Sequence, residues 1–181
     1  MKKIIVTTIL FAFSLNIFPQ TFEVPKDYTL IIAEDYAPYE QDIVKFADWL
    51  INTPANLEQT KRQEATKFFI DWISGSPNTH IIVDYRIVNF TEESPGFLIV
   101  FMSGWVKKTI ETKKFKNTVA EAKNDIEGIV AGNMAGIEAV ITFYKKNRNI
   151  LAMNKNIEKY IKLQEKGKLK EHITKIVSKS K

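Results

Sequence analysis

The chain contains no cysteine. That absence excludes disulfides, a lipid-modified N-terminal cysteine, thiol chemistry and every cysteine-based zinc site. Histidine is almost as scarce: only His80 and His172 occur, with no zinc spacing and no H-E-x-x-H helix. There is no G-x-S-x-G elbow, no P-loop and no dinucleotide-binding glycine fingerprint. The sequence therefore asks for no cofactor and no metal. Long hydrophobic runs are also missing beyond residue 20. The most apolar one, Phe97 to Met102, lasts six residues before Ser103-Gly104, well short of the roughly 20 that a spanning helix needs.

What is present begins with an address. Lys2 and Lys3 precede an apolar run from Ile4 to Phe18, which Pro19-Gln20 interrupts. A basic start, a short hydrophobic stretch and an early break read as a secretory signal peptide over residues 1–20. Thr7, Thr8, Ser14 and Asn16 dilute the run and argue against a membrane anchor. The expected product is exported to the periplasm or the cell exterior, is not a lipoprotein, and keeps no transmembrane segment once the leader is cut. Residues 21–181 suit a single domain. Without disulfides, such a domain must be held by its core.

Charge is unevenly spread. Residues 145–181 carry 12 Lys/Arg against 3 Asp/Glu, whereas residues 21–144 carry 12 against 18. A basic C-terminal region of this kind could meet a polyanion, pair with the acidic body, or simply keep a helical end soluble. The preferred expectation is that it docks on its own body through Ile157, Tyr160 and Ile161, with the half beyond Gly167 less protected. The acidic body argues against a nucleic-acid partner.

Apolar residues recur at helical spacing: Ile43, Phe46, Ala47 and Leu50; Ala65, Phe68, Phe69 and Trp72; Leu98, Phe101, Met102 and Trp105; Ile137, Val140, Ile141 and Tyr144. Thr53-Pro54, Ser76-Pro77 and Ser94-Pro95 read as helix starts, and Gly75 and Gly167 as left-handed helix stops. Asp48-Trp49 and Asp71-Trp72, each with a proline five residues after its tryptophan, read as two consecutive helices that end alike. One segment dissents. Ile81 to Val88 is rich in β-branched residues and alternates around Val83 to Ile87, so it reads as extended, with Tyr28 to Ala33 its one plausible partner. The expected fold is mainly α, a single-domain array of about six helices, with a small two-stranded ribbon of residues 28–33 and 81–88. A short helix over residues 81–90 is the alternative.

The segment Val119 to Tyr144 reads as a helix striped with glycine. Gly128, Gly132 and Gly136 recur every four residues among Ala131, Ala135 and Ala139, forming one smooth face. Three interior glycines cost roughly 3 kcal/mol of helix propensity relative to alanine, so close backbone approach to another helix or to a ligand must offset them. The opposite face is apolar and contains Asn133, which needs a hydrogen-bond partner there. Glu127 and Glu138 lie on a narrow polar strip. Glu127, Asn133 and Glu138 together are the candidate ligand-binding residues, and the two glutamates the first pair to test as glycosidase acids.

Three blocks, Phe97 to Trp105, Gly132 to Val140 and Glu158 to Leu163, resemble those of small uncharacterised helical secreted proteins of Bacteroidetes-type bacteria, as does the leader ending Ile17-Phe18-Pro19-Gln20. The resemblance implies export and a helical class, and no substrate, cofactor or catalytic residue. The leading expectation of function is a non-enzymatic module that binds a protein or an envelope component. The alternative is a small-molecule binder, or a carboxylate-dependent hydrolase, built on the acidic notch.

Overall fold

A computed structural model describes residues 22–179; the signal peptide expected over residues 1–20 lies outside them. The described chain holds seven α-helices and no β-strand: α1 (Glu40–Asn52), α2 (Gln59–Gly75), α3 (Phe97–Thr112), α4 (Val119–Asn124), α5 (Ile126–Lys146), α6 (Lys155–Glu165) and α7 (Leu169–Val177). Helices α3 and α5 lie against each other over the most extensive contact in the fold. Helix α1 packs on both of them, α2 on α1, and α6 and α7 on α5 and on each other.

Small residues make the central contact possible. A Cβ placed on Gly104 of α3 would lie 2.6 Å from Ala139 Cβ and 2.7 Å from the Ala135 carbonyl oxygen. One on Gly136 would lie 2.6 Å from the Phe101 ring, and one on Gly132 would run into the Trp105 indole. Glycine and alanine of α5 thus receive two aromatic rings of α3. Gly128 differs, because its neighbour is the side chain of Asp125. It belongs to the helix cap, not to the seam.

Two aromatic groups fill the space around this pair. Phe22, Phe46, Trp49 and Phe69 join the N-terminal segment to α1 and α2, with the Phe46 and Phe69 rings stacked at 4.9 Å. Phe90, Phe97, Phe101, Tyr144 and Tyr160 join α3, α5 and α6. Helices α1 and α2 end alike: the Thr53 and Ser76 amides donate to the carbonyls of Trp49 and Trp72, and both tryptophans are buried.

The expected ribbon does not form. Asp84 accepts from the Arg86 amide at 2.9 Å and pairs with the Arg86 guanidinium, while its carbonyl accepts from Ile87 at 2.9 Å. That local bonding turns the chain back on itself where a strand would run straight. Asp35 bends the other half in the same way, accepting from the amides of Ile31 and Ile32. The alternative helix over residues 81–90 is absent too, apart from a 3-10 turn at Asn89–Thr91.

Other punctuation is corrected in detail. Gly167 has φ +66° and closes α6, with Lys168 donating to Leu163 and Gly167 to Gln164, the two bonds of a Schellman stop. Gly75 is not left-handed; it is small because the Tyr36 hydroxyl occupies the place of its Cβ. Pro54 and Pro77 lie in loops, and only Ser94-Pro95 leads directly into a helix. The glycine-striped segment is two helices, broken at Asp125, whose Oδ1 accepts from the Gly128 amide at 2.9 Å and caps α5.

The basic C-terminal region is folded onto the body. Ile157, Tyr160 and Ile161 of α6 are buried, and so are Leu169, Ile173 and Val177 of α7, so the half beyond Gly167 is no less covered. Tyr160 donates to the Ile87 carbonyl at 2.8 Å, and Asn154 donates to that of Phe90 at 2.9 Å.

Adding one methyl group to the seam tests its closeness. Gly104→Ala and Gly136→Ala are each expected to destabilise the chain by about 1–3 kcal/mol, although alanine favours a helix by about 1 kcal/mol over glycine. Urea unfolding measures this. Unchanged or raised midpoints would mean that the helices do not touch there.

Candidate functional site

The N-terminal half of α5 is surrounded by three depressions, and the candidate residues are divided among them. Asn133 lines a cleft of about 490 Å³ between α5, the segment 82–84 and the end of α7. Its walls are mixed: Ile82, Val83, Ile126, Ile129 and Val177 are apolar, and Asp84, Lys123 and Asn124 are polar members beside Asn133. Asn133 is fully buried. Its amide nitrogen donates to the Ile129 carbonyl at 2.8 Å, which fixes the orientation of the group, since that carbonyl can only accept. Its oxygen then has no hydrogen-bond partner among the described residues.

Two other buried asparagines make the contrast plain. Asn147 donates to the Phe143 carbonyl at 2.8 Å and accepts from the Ala55 amide at 2.7 Å. Asn154 donates to Phe90 and accepts from the amides of Asn156 and Ile157 at 3.1 Å. In both, each end of the amide is bonded, and one end joins two elements. Asn133 uses one end only, so its oxygen carries the cost of burial without recompense, about 1–3 kcal/mol.

Glu127 and Glu138 open elsewhere, on a groove of about 680 Å³ that runs over Val130, Ala131, Met134 and Ala135 between α3 and α7. Both are exposed. Eleven residues of helix hold their Cα atoms roughly 16 Å apart along the axis, at about 1.5 Å per residue. A retaining glycosidase needs its carboxyls about 5 Å apart, with the acid in a desolvated setting, and neither condition is met. The expected notch of Glu127, Asn133 and Glu138 is therefore not one site. Of the glycines, Gly132 and Gly136 serve helix contact and Gly128 serves the cap.

The third depression is one that the sequence motifs do not point to. It is a small, half-open recess of about 40 Å³ between α3, α5 and the segments 78–82 and 113–118. Lys108, Lys114, Lys116 and His80 line it, opposite one carboxylate, Asp125. The only trace in the sequence is the density of lysine from Lys107 to Lys116. No cluster of His, Asp or Glu able to hold a metal occurs among the described residues.

Three ionisable groups near these depressions are displaced from their ordinary values. The Lys116 ammonium, 2.9 Å away, and the Gly128 amide hold the Asp125 carboxyl below the usual range. Burial, aided by the charge of Asp84, pushes the Tyr160 phenol far up. Burial, with Lys159 and Lys175 adding to it, pushes the His172 imidazole down.

Asp125 has a lower pKa folded than unfolded. Its stabilisation is therefore complete above the ordinary value of 3.8 and is lost as the pH falls through the folded value. Asp125→Ala is expected to lower stability by about 1 kcal/mol near neutral pH, with the difference vanishing in acid; urea unfolding across pH measures both. Asn133→Leu is expected to stabilise the chain by about 1 kcal/mol, because it removes an unpaired acceptor, keeps the branching at Cγ and has the adjoining cleft to take its larger side chain. A destabilised variant would show that the amide is structural. No protein-family model matches this sequence, and no curated protein and no solved structure is similar to it.

Proposed function

We propose that the chain is a non-enzymatic binding module whose ligand occupies the cleft between α5, the segment 82–84 and α7. The observation that carries this reading is the Asn133 oxygen, buried and unpaired beside a partly apolar cleft of about 490 Å³. Ligand sites are commonly of this form: apolar walls, a few fixed polar groups and a volume of about 300–1,000 Å³. A ligand N–H or O–H donated to that oxygen would recover what its burial costs.

The surroundings favour a partner protein over a small metabolite. Val83 lines the cleft, and Tyr85, two residues on, is 77% exposed; together they extend the apolar surface outward from it. An apolar side chain seated in the cleft, with a backbone or side-chain donor beside it, would engage both the walls and Asn133. The export signal read in residues 1–20 would place such a partner in the envelope or outside the cell. Against a carboxylate-dependent hydrolase stand the exposure of Glu127 and Glu138 and their distance along α5.

The test is a titration of the isotope-labelled chain with envelope proteins fractionated by size, followed by amide chemical shifts. Shifts concentrated at residues 82–85, Asn133 and Val177, and abolished by Asn133→Leu, are the expected result. Shifts confined to the Glu127–Glu138 groove, or turnover of a glycoside panel lost in Glu127→Gln, would overturn the reading.

A further inference from the structure

The small recess beside α3 holds an excess of positive charge. Lys108, Lys114 and Lys116 line it, and Asp125 is the only carboxylate among its lining residues. That carboxylate is already engaged: Oδ1 caps the Gly128 amide and Oδ2 pairs with Lys116 at 2.9 Å. Neither Lys108 nor Lys114 makes an ion pair among the described residues. The site therefore offers two ammonium groups outside ion-pair distance of any described carboxylate, Lys114 acting on Asp125 only at longer range, and a third held in place by Asp125.

The other lining groups are arranged to match. His80 Nε2 is shielded from solvent and has no hydrogen-bond partner. The Trp105 indole lines the same space and is almost fully buried. The hydroxyls of Thr109 and Thr112 donate to helix carbonyls, which anchors the wall they form. A water needs about 10–15 Å³ by this kind of measure, so about 40 Å³ accommodates a tetrahedral oxyanion with bonds of roughly 1.5 Å. Lysine ammonium groups act as point charges and suit a phosphoryl group, whereas a planar carboxylate is better matched by an arginine fork, and no arginine lines the space.

We infer that this pocket is a binding site for a phosphoryl or similar tetrahedral oxyanion, held by Lys108, Lys114 and Lys116 with His80 at its wall. The site adjoins the Asn133 cleft, sharing Ile82 and Ile129 with it, but uses none of its polar residues. Its narrow chamber meets the wider groove at Lys108, Lys114 and Ala131, which line both. A phosphate monoester can therefore place its phosphoryl group inside and its organic part over Ala131 and Met134.

Calorimetric titration of the full chain with inorganic phosphate, with phenyl phosphate and with acetate, at matched ionic strength in chloride, tests the inference. Phosphate should bind, acetate should bind more weakly, and the His80 ring nitrogen signals should move on phosphate addition. Binding by phenyl phosphate as tight as that by phosphate identifies an esterified ligand; binding by inorganic phosphate alone identifies the free ion. Lys108 and Lys114 are both exposed, so Lys108→Gln/Lys114→Gln should fold normally and weaken phosphate binding at least about tenfold, the equivalent of one charge-assisted bond. The His80 signals provide a readout in the unaltered chain that needs no variant. Unmoved His80 signals, no heat beyond the chloride control, or affinity in the double variant within about twofold of the original would each overturn it.

Discussion

The approach of α3 to α5 is the contact on which the other elements depend. Each glycine in the seam gives up about 1 kcal/mol of helix propensity, and the return is that Phe101 and Trp105 lie directly against the α5 backbone. At Gly104, which faces the Ala135 carbonyl and Ala139 Cβ, the two backbones approach with no large side chain between them. Dispersion and apolar burial then act over a long, continuous contact. Helix α5 is by length and composition the one described helix that could cross a membrane, and 56% of its most apolar window is covered within the fold. Its own neighbours supply much of the cover that lipid would otherwise provide.

Everything else is arranged around that pair by polar groups with definite tasks. Asn147 ties the end of α5 to the loop between α1 and α2, and Asn154 ties the start of α6 to the 3-10 turn at Asn89–Thr91. The turn at Asp84 and Arg86 brings residues 82–84 over α5, and Arg86 donates to the Ile176 carbonyl of α7. This places one wall of the Asn133 cleft. Asp125 does two things at once: it starts α5 and orients Lys116 toward the anion pocket. Such side chains decide where the depressions lie, while the seam decides that α5 is rigid enough to carry them.

Much of this was legible in the residues. Periodic apolar positions locate α1, α2, α3 and α5, because a helix that buries one face must repeat near 3.6, and the glycine stripe of α5 announces a close contact. Its partner, Gly104, is harder to see, since a lone glycine between apolar residues resembles a break. The failures share one cause. Asp84, Asp35 and Asp125 each bond to nearby backbone, and so turn or interrupt segments whose pattern alone suggests strand or continuous helix. Glu127, Asn133 and Glu138 are close in sequence and on one helix, yet Asn133 faces away from the groove that the two glutamates share, and neighbouring elements decide what each one meets. The lysine pocket draws residues from α3, α5 and two loops, so no spacing along the chain could reveal it.

Native-state hydrogen exchange over a range of denaturant tests most directly whether the α3–α5 pair is the foundation. Cooperative units open in order of their own stability, and the most protected amides exchange only with global unfolding. The account predicts that amides of residues 101–106 and 132–141 share the global free energy, and that α2, α6 and α7 open below it without exposing them. If the amides of α5 exchanged together with those of α7, or before them, the seam would not be what holds the fold.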